Sequence, residues 1–290
     1  MLHGQYPVSV KDQGIPASDC AGKVIALGSA VSKVSLRDRV SPIFDLRYID
    51  VIDAENKVAQ LGGNVDGVLR QYAVFDENAL VRIPQHLSWA EDQISPGGIK
   101  FLKELILKLY AGTGGVSLFA LLICLGAGIR PIITSSSNKK LQDVTAFASD
   151  GVVDTVNYRE YPNWEEKVIQ LTHGKGVDTV LETVGDTSMQ KSITSMSTRG
   201  QISWIGFLGG LQLDNSVKPL GELFLKVGTL KAIQVGSKID QENLCHFLEE
   251  NHVSLKPIIG KTFDFTESPA AFDFLYSGQC LGKVVITVSH

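Results

Sequence analysis

The sequence is poor in cysteine, in charge of one sign and in long apolar runs, and each absence removes a class of function. Its four cysteines, Cys20, Cys124, Cys245 and Cys280, lie far apart, form no C-x-x-C pair and do not cluster with the six histidines. That spacing suggests neither a disulfide framework nor a structural zinc site and fits a reducing cytoplasm. No basic run occurs, and 27 Lys and Arg against 31 Asp and Glu leave a formal charge of −4. Nucleic acid and acidic membrane surfaces are therefore not expected partners, whereas a small molecule is. The longest apolar stretch, Leu118 to Ile129, contains Gly126 and Gly128 and ends at Arg130-Pro131. It falls short of the roughly 20 residues that span a bilayer, and a buried crossover helix of a doubly wound sheet accounts for it. Met1 to Pro7 carries neither the basic nor the apolar region of a secretory signal. With no low-complexity segment, the 290 residues read as a globular chain long enough for two domains.

What the sequence does have is a glycine-rich turn, Ala111-Gly112-Thr113-Gly114-Gly115-Val116-Ser117, between the apolar run Leu105 to Tyr110 and the one beginning at Leu118. A strand, a glycine turn and a helix in that order form the context of a dinucleotide site. Gly112 permits the tight turn, Gly114 lets backbone N–H groups approach a pyrophosphate, and Ser117 is small enough for the helix to pack on its strand. The pyrophosphate then sits on a helix N-terminus. A glycine turn that merely joins a strand to a helix is the plainer alternative. About twenty residues further on, a carboxylate is expected where NAD is bound through its ribose 2′-hydroxyl. Here the sequence runs Ile132-Ile133-Thr134-Ser135-Ser136-Ser137-Asn138-Lys139-Lys140, with hydroxyls and lysines and no acidic partner. Such groups suit the 2′-phosphate of NADP(H), to which hydroxyls donate and an ammonium adds a charge-assisted contact. Ordinary loop residues would look the same.

From Ile15 to about Pro84 the chain reads as short strands broken by turns: Gly22 to Gly28, Asp38 to Val40, Gln71 to Phe75 and Leu80 to Pro84. From about Leu105 to Leu248 strands alternate with helices, with strand candidates at Arg130 to Thr134, Gly151 to Val156, Val177 to Leu181 and Gln201 to Gly206 and a helix at Asn163 to Leu171. Two buried strands run into glycine, at Gly185 and at Gly206, and strand carboxyl ends are where ligands bind in this architecture. Lys256 to His290 returns to strand-like runs and is read as rejoining the first domain.

Pro16 to Gly22, Asp38-Arg39-Val40, Gly67 to Tyr72, Gly112 to Ser117, Asn157 to Glu160, Gly174 to Asp178 and Gly282 to Val285 are collinear with, and together resemble, the medium-chain dehydrogenase/reductase superfamily. The likeness is to its zinc-independent, quinone-oxidoreductase-like members, often labelled zinc-type alcohol dehydrogenase-like. The resemblance implies an α/β chain: a Rossmann doubly wound parallel sheet over 96–252, and a truncated GroES-like β-rich catalytic domain from 1–95 and a return segment 253–290. It implies an NADP(H)-dependent oxidoreductase moving a hydride to or from a small carbonyl, alcohol, quinone or enone, and leaves a homodimer open. By the same resemblance Gly112, Thr113, Gly114, Gly115 and Val116 hold the pyrophosphate, Ser135, Ser136, Lys140 and Tyr158 surround the 2′-phosphate, and Gly185, Phe207 and Leu208 border the nicotinamide end. Tyr158 as a half-buried aromatic is the plainer alternative. Ser18, Asp19 and Tyr72 are the proton-donor candidates on the substrate side, and the first two read equally well as a turn capping a strand.

The chain also departs from the pattern. Zinc-using relatives carry Gly-His-Glu-x-x-Gly where Ala17-Ser18-Asp19-Cys20-Ala21-Gly22 stands, and a serine hydroxyl is a poor zinc ligand, so no metal is expected. Relatives complete several catalytic-domain strands before the point matching Met1, and the segment Glu91 to Tyr110 is shorter than theirs and unlike it. An incomplete substrate side and impaired turnover are therefore expected, with a non-catalytic NADPH-binding remnant or regulator as the rival.

Overall fold

The computed structural model describes residues 10–50, 58–92, 107–111, 113–209 and 217–288. The chain divides into two compact units, Met1–Lys100 with Val235–His290, and Phe101–Gln234.

In the first unit, β1 (Gly22–Lys23), β2 (Arg39–Pro42) and β3 (Leu80–Arg82) form an antiparallel sheet in that order, followed by the single-turn helix α1 (Trp89–Asp92). Of the strand expected at Gly22 to Gly28, only Gly22–Lys23 is regular strand, and Val24 continues the pairing by donating to Asp38 O at 2.9 Å and accepting from Arg37 N at 2.8 Å. Gln71 to Phe75 is a correction: its residues lie in no strand, with Val74 96% exposed. Alternating apolar side chains make a strand only where one face is covered, and here Tyr72 and Val74 are exposed and Phe75 only half-buried.

The second unit alternates strand and helix as its periodicity dictates: β4 (Leu107–Ala111), α2 (Gly115–Gly126), β5 (Arg130–Ser135), α3 (Asn138–Thr145), β6 (Asp154–Asn157), α4 (Trp164–Leu171), β7 (Val177–Glu182), α5 (Asp186–Ser195), β8 (Met196–Trp204), α6 (Val217–Leu225) and β9 (Thr229–Ala232). All six strands are parallel, in the order β6-β5-β4-β7-β8-β9. Counted along the unit this is third, second, first, fourth, fifth, sixth, the Rossmann order, whose direction reverses between β4 and β7. Ser117 to Cys124 of α2 are all buried, as expected of a crossover helix covered on both sides. One core of the sheet is Ile132, Val156, Val177, Val180 and Ile202 against Val168 of α4 and Met189 and Ile193 of α5. Among the described residues no helix is long and apolar enough to cross a membrane.

The chain then completes the first unit with α7 (Lys238–Glu250), β10 (Ile259–Asp264), α8 (Ser268–Tyr276) and β11 (Lys283–Thr287), the two strands pairing in parallel. Ser237 and Asp240 close a capping box at the start of α7. This helix falls in the first unit rather than in a Rossmann domain running to 252, because Cys245 packs with Ile43, Ala79 and Val81. Glu91 ties the return segment to the front of the unit. Its Oε2 accepts from Ser88 N and Oγ at 2.9 and 2.7 Å, and its Oε1 from Ser254 Oγ, Leu255 N and Lys256 N at 2.6, 2.9 and 2.9 Å.

Candidate dinucleotide site

The sheet reversal places three clusters of expected site residues at the carboxyl ends of neighbouring strands. At the exit of β4, Gly114 is the N-cap of α2 with φ −79° and ψ 173°, and no side chain of the described residues caps the helix. Leading N–H groups of a helix have no intrahelical partner and face the positive end of its dipole, so they are suited to an anion. A β-carbon at Gly114 would meet nothing among the described residues within 4 Å. No described atom therefore blocks a pyrophosphate in front of the turn, and the residues present fit the group. Gly115 and Val116 are half-buried in the first turn, and Thr113 is buried behind it. Gly112 lies outside the described residues.

At the exits of β5 and β6, Ser135 is 4% exposed, and its Oγ accepts from Ser137 N at 3.3 Å. Its side chain is turned toward its own loop, while Ser136 and Lys140 are half-buried beside it. The Ser137 hydroxyl, one of the group expected to suit a phosphate, instead accepts from Lys140 N and caps α3. Tyr158 is 41% exposed, and its N–H donates to the Ser135 carbonyl at 3.1 Å, which brings the two strand exits together. An acidic side chain also belongs to this cluster. Glu160 accepts from Asn138 Nδ2, a contact that sequence order hides because 22 residues separate them.

At the exits of β7 and β8, Gly185 has φ +93°, a conformation L side chains rarely adopt, and a β-carbon there would lie 3.2 Å from Phe207 Cα. Leu208 N donates to Thr183 O at 3.2 Å and Gly209 N to Val184 O at 2.8 Å, so these exits are laced together. Phe207 and Leu208 present exposed apolar side chains. The residue that organises this corner was not singled out from the sequence. Glu182, fully buried at the end of β7, accepts from Val184 N, Gly185 N and Ser188 Oγ on Oε1 at 2.7, 3.0 and 2.8 Å, and from Ser192 Oγ on Oε2. A carboxylate after Val180-Leu181 with serines on successive turns of the next helix was the signal that could have found it.

The substrate-side candidates belong to the first unit. Ala17 has φ +66°, and the segment it sits in pairs through Gly67 N to Ile15 O, Val68 N to Ala17 O and Leu69 N to Pro16 O at 2.7, 2.9 and 3.2 Å. This brings Ser18 and Asp19, both half-buried, to the Gly67 to Arg70 strip. Tyr72 lies beyond that pairing and is 60% exposed. Burial, reinforced by the Asp19 charge, pushes the Cys20 thiol up to about 12. Among the described residues no three His, Cys, Asp or Glu gather as a metal site. With a serine hydroxyl at 18 and no such cluster among the described residues, the residues present do not fit a zinc ion.

Comparison with known proteins shows the family. Residues 115–250 match the family described as Zinc-binding dehydrogenase. The zinc-type alcohol dehydrogenase-like protein C1773.06c of Schizosaccharomyces pombe is 31% identical over 300 residues, covering 98% of this chain and 85% of the relative. The chain belongs to the medium-chain dehydrogenase/reductases. A crystal structure of an alcohol dehydrogenase homologue from Sinorhizobium meliloti 1021 superposes on this medium-chain dehydrogenase/reductase with TM-score 0.85 and 31% identity, over 97% of this chain and 84% of that one. An L-threonine 3-dehydrogenase of Francisella philomiragia is 26% identical, with 95% of this chain and 83% of the enzyme covered. The molecule is thus an oxidoreductase of the alcohol dehydrogenase type, in a family that uses nicotinamide cofactors.

Proposed function

We propose that this medium-chain dehydrogenase/reductase is an NADP(H)-dependent, zinc-independent oxidoreductase of the cytoplasm. It transfers a hydride to or from a small carbonyl, alcohol, quinone or enone. The observation that carries the cofactor reading is the N-terminus of α2, uncapped by any described side chain, behind a glycine whose β-carbon would meet no described atom within 4 Å. When bound, the nicotinamide supplies the hydride, so the protein's task is position and exclusion of water. The leading N–H groups of α2 hold the pyrophosphate. Gly185, fixed by the Glu182 carboxylate, lets backbone approach the nicotinamide ribose, and Phe207 and Leu208 shield the ring. Ser136 and Lys140 receive the 2′-phosphate, with Tyr158 beside them and Ser135 shaping the loop from within. In the first unit, Ser18 and Asp19 are assigned to proton transfer, with the exposed Tyr72 the weaker candidate.

Four cysteines with free thiols support a reducing compartment. Exposed Phe224, Leu225 and Val227 beside the edge strand β9 favour a second copy as partner, which light scattering would show as a dimer. Fluorescence titration with both nucleotides tests the cofactor reading. NADPH is expected to bind more tightly than NADH, and equal or tighter NADH binding refutes the NADP assignment.

A further inference from the structure

The exits of β5 and β6 are joined by a chain of side-chain amides. Asn157, the last residue of β6 and 7% exposed, donates from Nδ2 to Asn138 Oδ1 at 2.6 Å. Its own Oδ1 accepts the N–H of Arg159 at 3.0 Å. Asn138, the first residue of α3, in turn donates from Nδ2 to the Glu160 carboxylate. Two asparagines thus hold a carboxylate from the third-strand exit against the start of the helix that follows the second strand. The general chemistry of this fold puts the adenosine ribose at that second-strand exit, with an acidic side chain there when the 2′-position is a hydroxyl. No Asp or Glu occurs between Arg130 and Gln142 to fill that role. Glu160 brings one in from the neighbouring strand.

We propose that Glu160, positioned by Asn138, is a specificity-determining residue for the 2′-group of the dinucleotide. The inference rests on the dinucleotide reading of this site given above. The carboxylate accepts a hydrogen bond from a 2′-hydroxyl and repels a 2′-phosphate, opposing Ser136 and Lys140. It therefore narrows the preference for NADPH rather than reversing it. Asn138 acts through Glu160 by holding it over the loop. Glu160 is exposed, so solvent and salt screen its field, and the effect is correspondingly limited.

The test is a set of dissociation constants for NADPH and NADH, measured by fluorescence on the whole protein and on Glu160→Gln, Asn138→Ala and the double variant. Glu160→Gln is expected to move the ratio of the two constants toward NADPH by about tenfold at low salt, and by less at high salt. Asn138→Ala is expected to move the ratio the same way, and to add nothing in the Glu160→Gln background. Protein that binds NADPH but shows a ratio changed less than twofold by Glu160→Gln, or moved toward NADH, overturns the inference and leaves the site reading standing. An Asn138→Ala effect undiminished in the double variant overturns the positioning role. Wild-type protein that binds neither nucleotide overturns the site reading and this inference together.

Discussion

Replacing Glu91 by glutamine should loosen the first unit, by an amount the structure sets. Burial raises the carboxyl, but hydrogen bonds from Ser254, Ser88 and Lys256 outweigh it and hold the pKa down at about 2 against an ordinary 4.5. A folded value below the unfolded one means a stabilising contribution that is present above 4.5 and lost as pH falls through 2. At 1.36 kcal/mol per pKa unit the ionised group contributes about 3 kcal/mol, of which about 2 kcal/mol is gone by pH 3. The side chain is 6% exposed, so little solvent screening reduces this. Glutamine keeps the shape but replaces one accepting oxygen by an NH₂ group. That leaves either the Ser88 donors or the Ser254, Leu255 and Lys256 donors facing another donor. Urea or thermal unfolding of wild type and Glu91→Gln, followed from pH 7 down to pH 3, is the assay. The variant should lose about 2 to 4 kcal/mol at pH 7, and the gap should close by more than half at pH 3. A variant that unfolds with wild type at pH 7, or a gap that stays constant on acidification, refutes the clamp.

Lys140→Ala should weaken NADPH binding by about 1 to 3 kcal/mol while leaving NADH nearly unchanged, as titration of both nucleotides would show. Gly67→Ala should destabilise or unfold the first unit, because a β-carbon there would lie 2.0 Å from the Ala17 carbonyl oxygen. A melting temperature equal to wild type would contradict the tight pairing of those segments. Protein purified without a metal-binding tag should contain no stoichiometric zinc by elemental analysis. One zinc per chain would refute the argument from Ser18.

The second unit was legible because its apolar runs, glycine turns and helix period agree with one another from Leu107 to Ala232. The buried strands Arg130–Ser135 and Val177–Glu182 and the crossover helix Gly115–Gly126 lie within a few residues of expectation. The first unit was less legible because its extended stretches are short and decided by tertiary pairing. Gln71 to Phe75 has strand composition but no ladder. Conversely, α7 carries a helical pattern whose destination, against Ile43 and Val81, no local signal announces. At the site, the turn after β4 could be read from spacing alone. The Asn138–Glu160 contact and the four donors on Glu182 could not, since both depend on which strand exits the sheet order makes neighbours. The segment Glu91 to Tyr110, expected to differ from relatives, lies for most of its length outside the described residues.

The central claim is that the turn before α2 receives a dinucleotide, and Gly114→Val tests it most directly. The valine side chain would meet no described atom within 4 Å of its β-carbon, and the backbone there is extended, so the variant should fold with wild-type circular dichroism and melting temperature. It would nevertheless fill the space where backbone meets pyrophosphate. The account predicts saturable NADPH binding to wild type by fluorescence titration and none to the folded variant. A folded Gly114→Val protein that binds NADPH with wild-type affinity would show the turn to be only a connection between strand and helix.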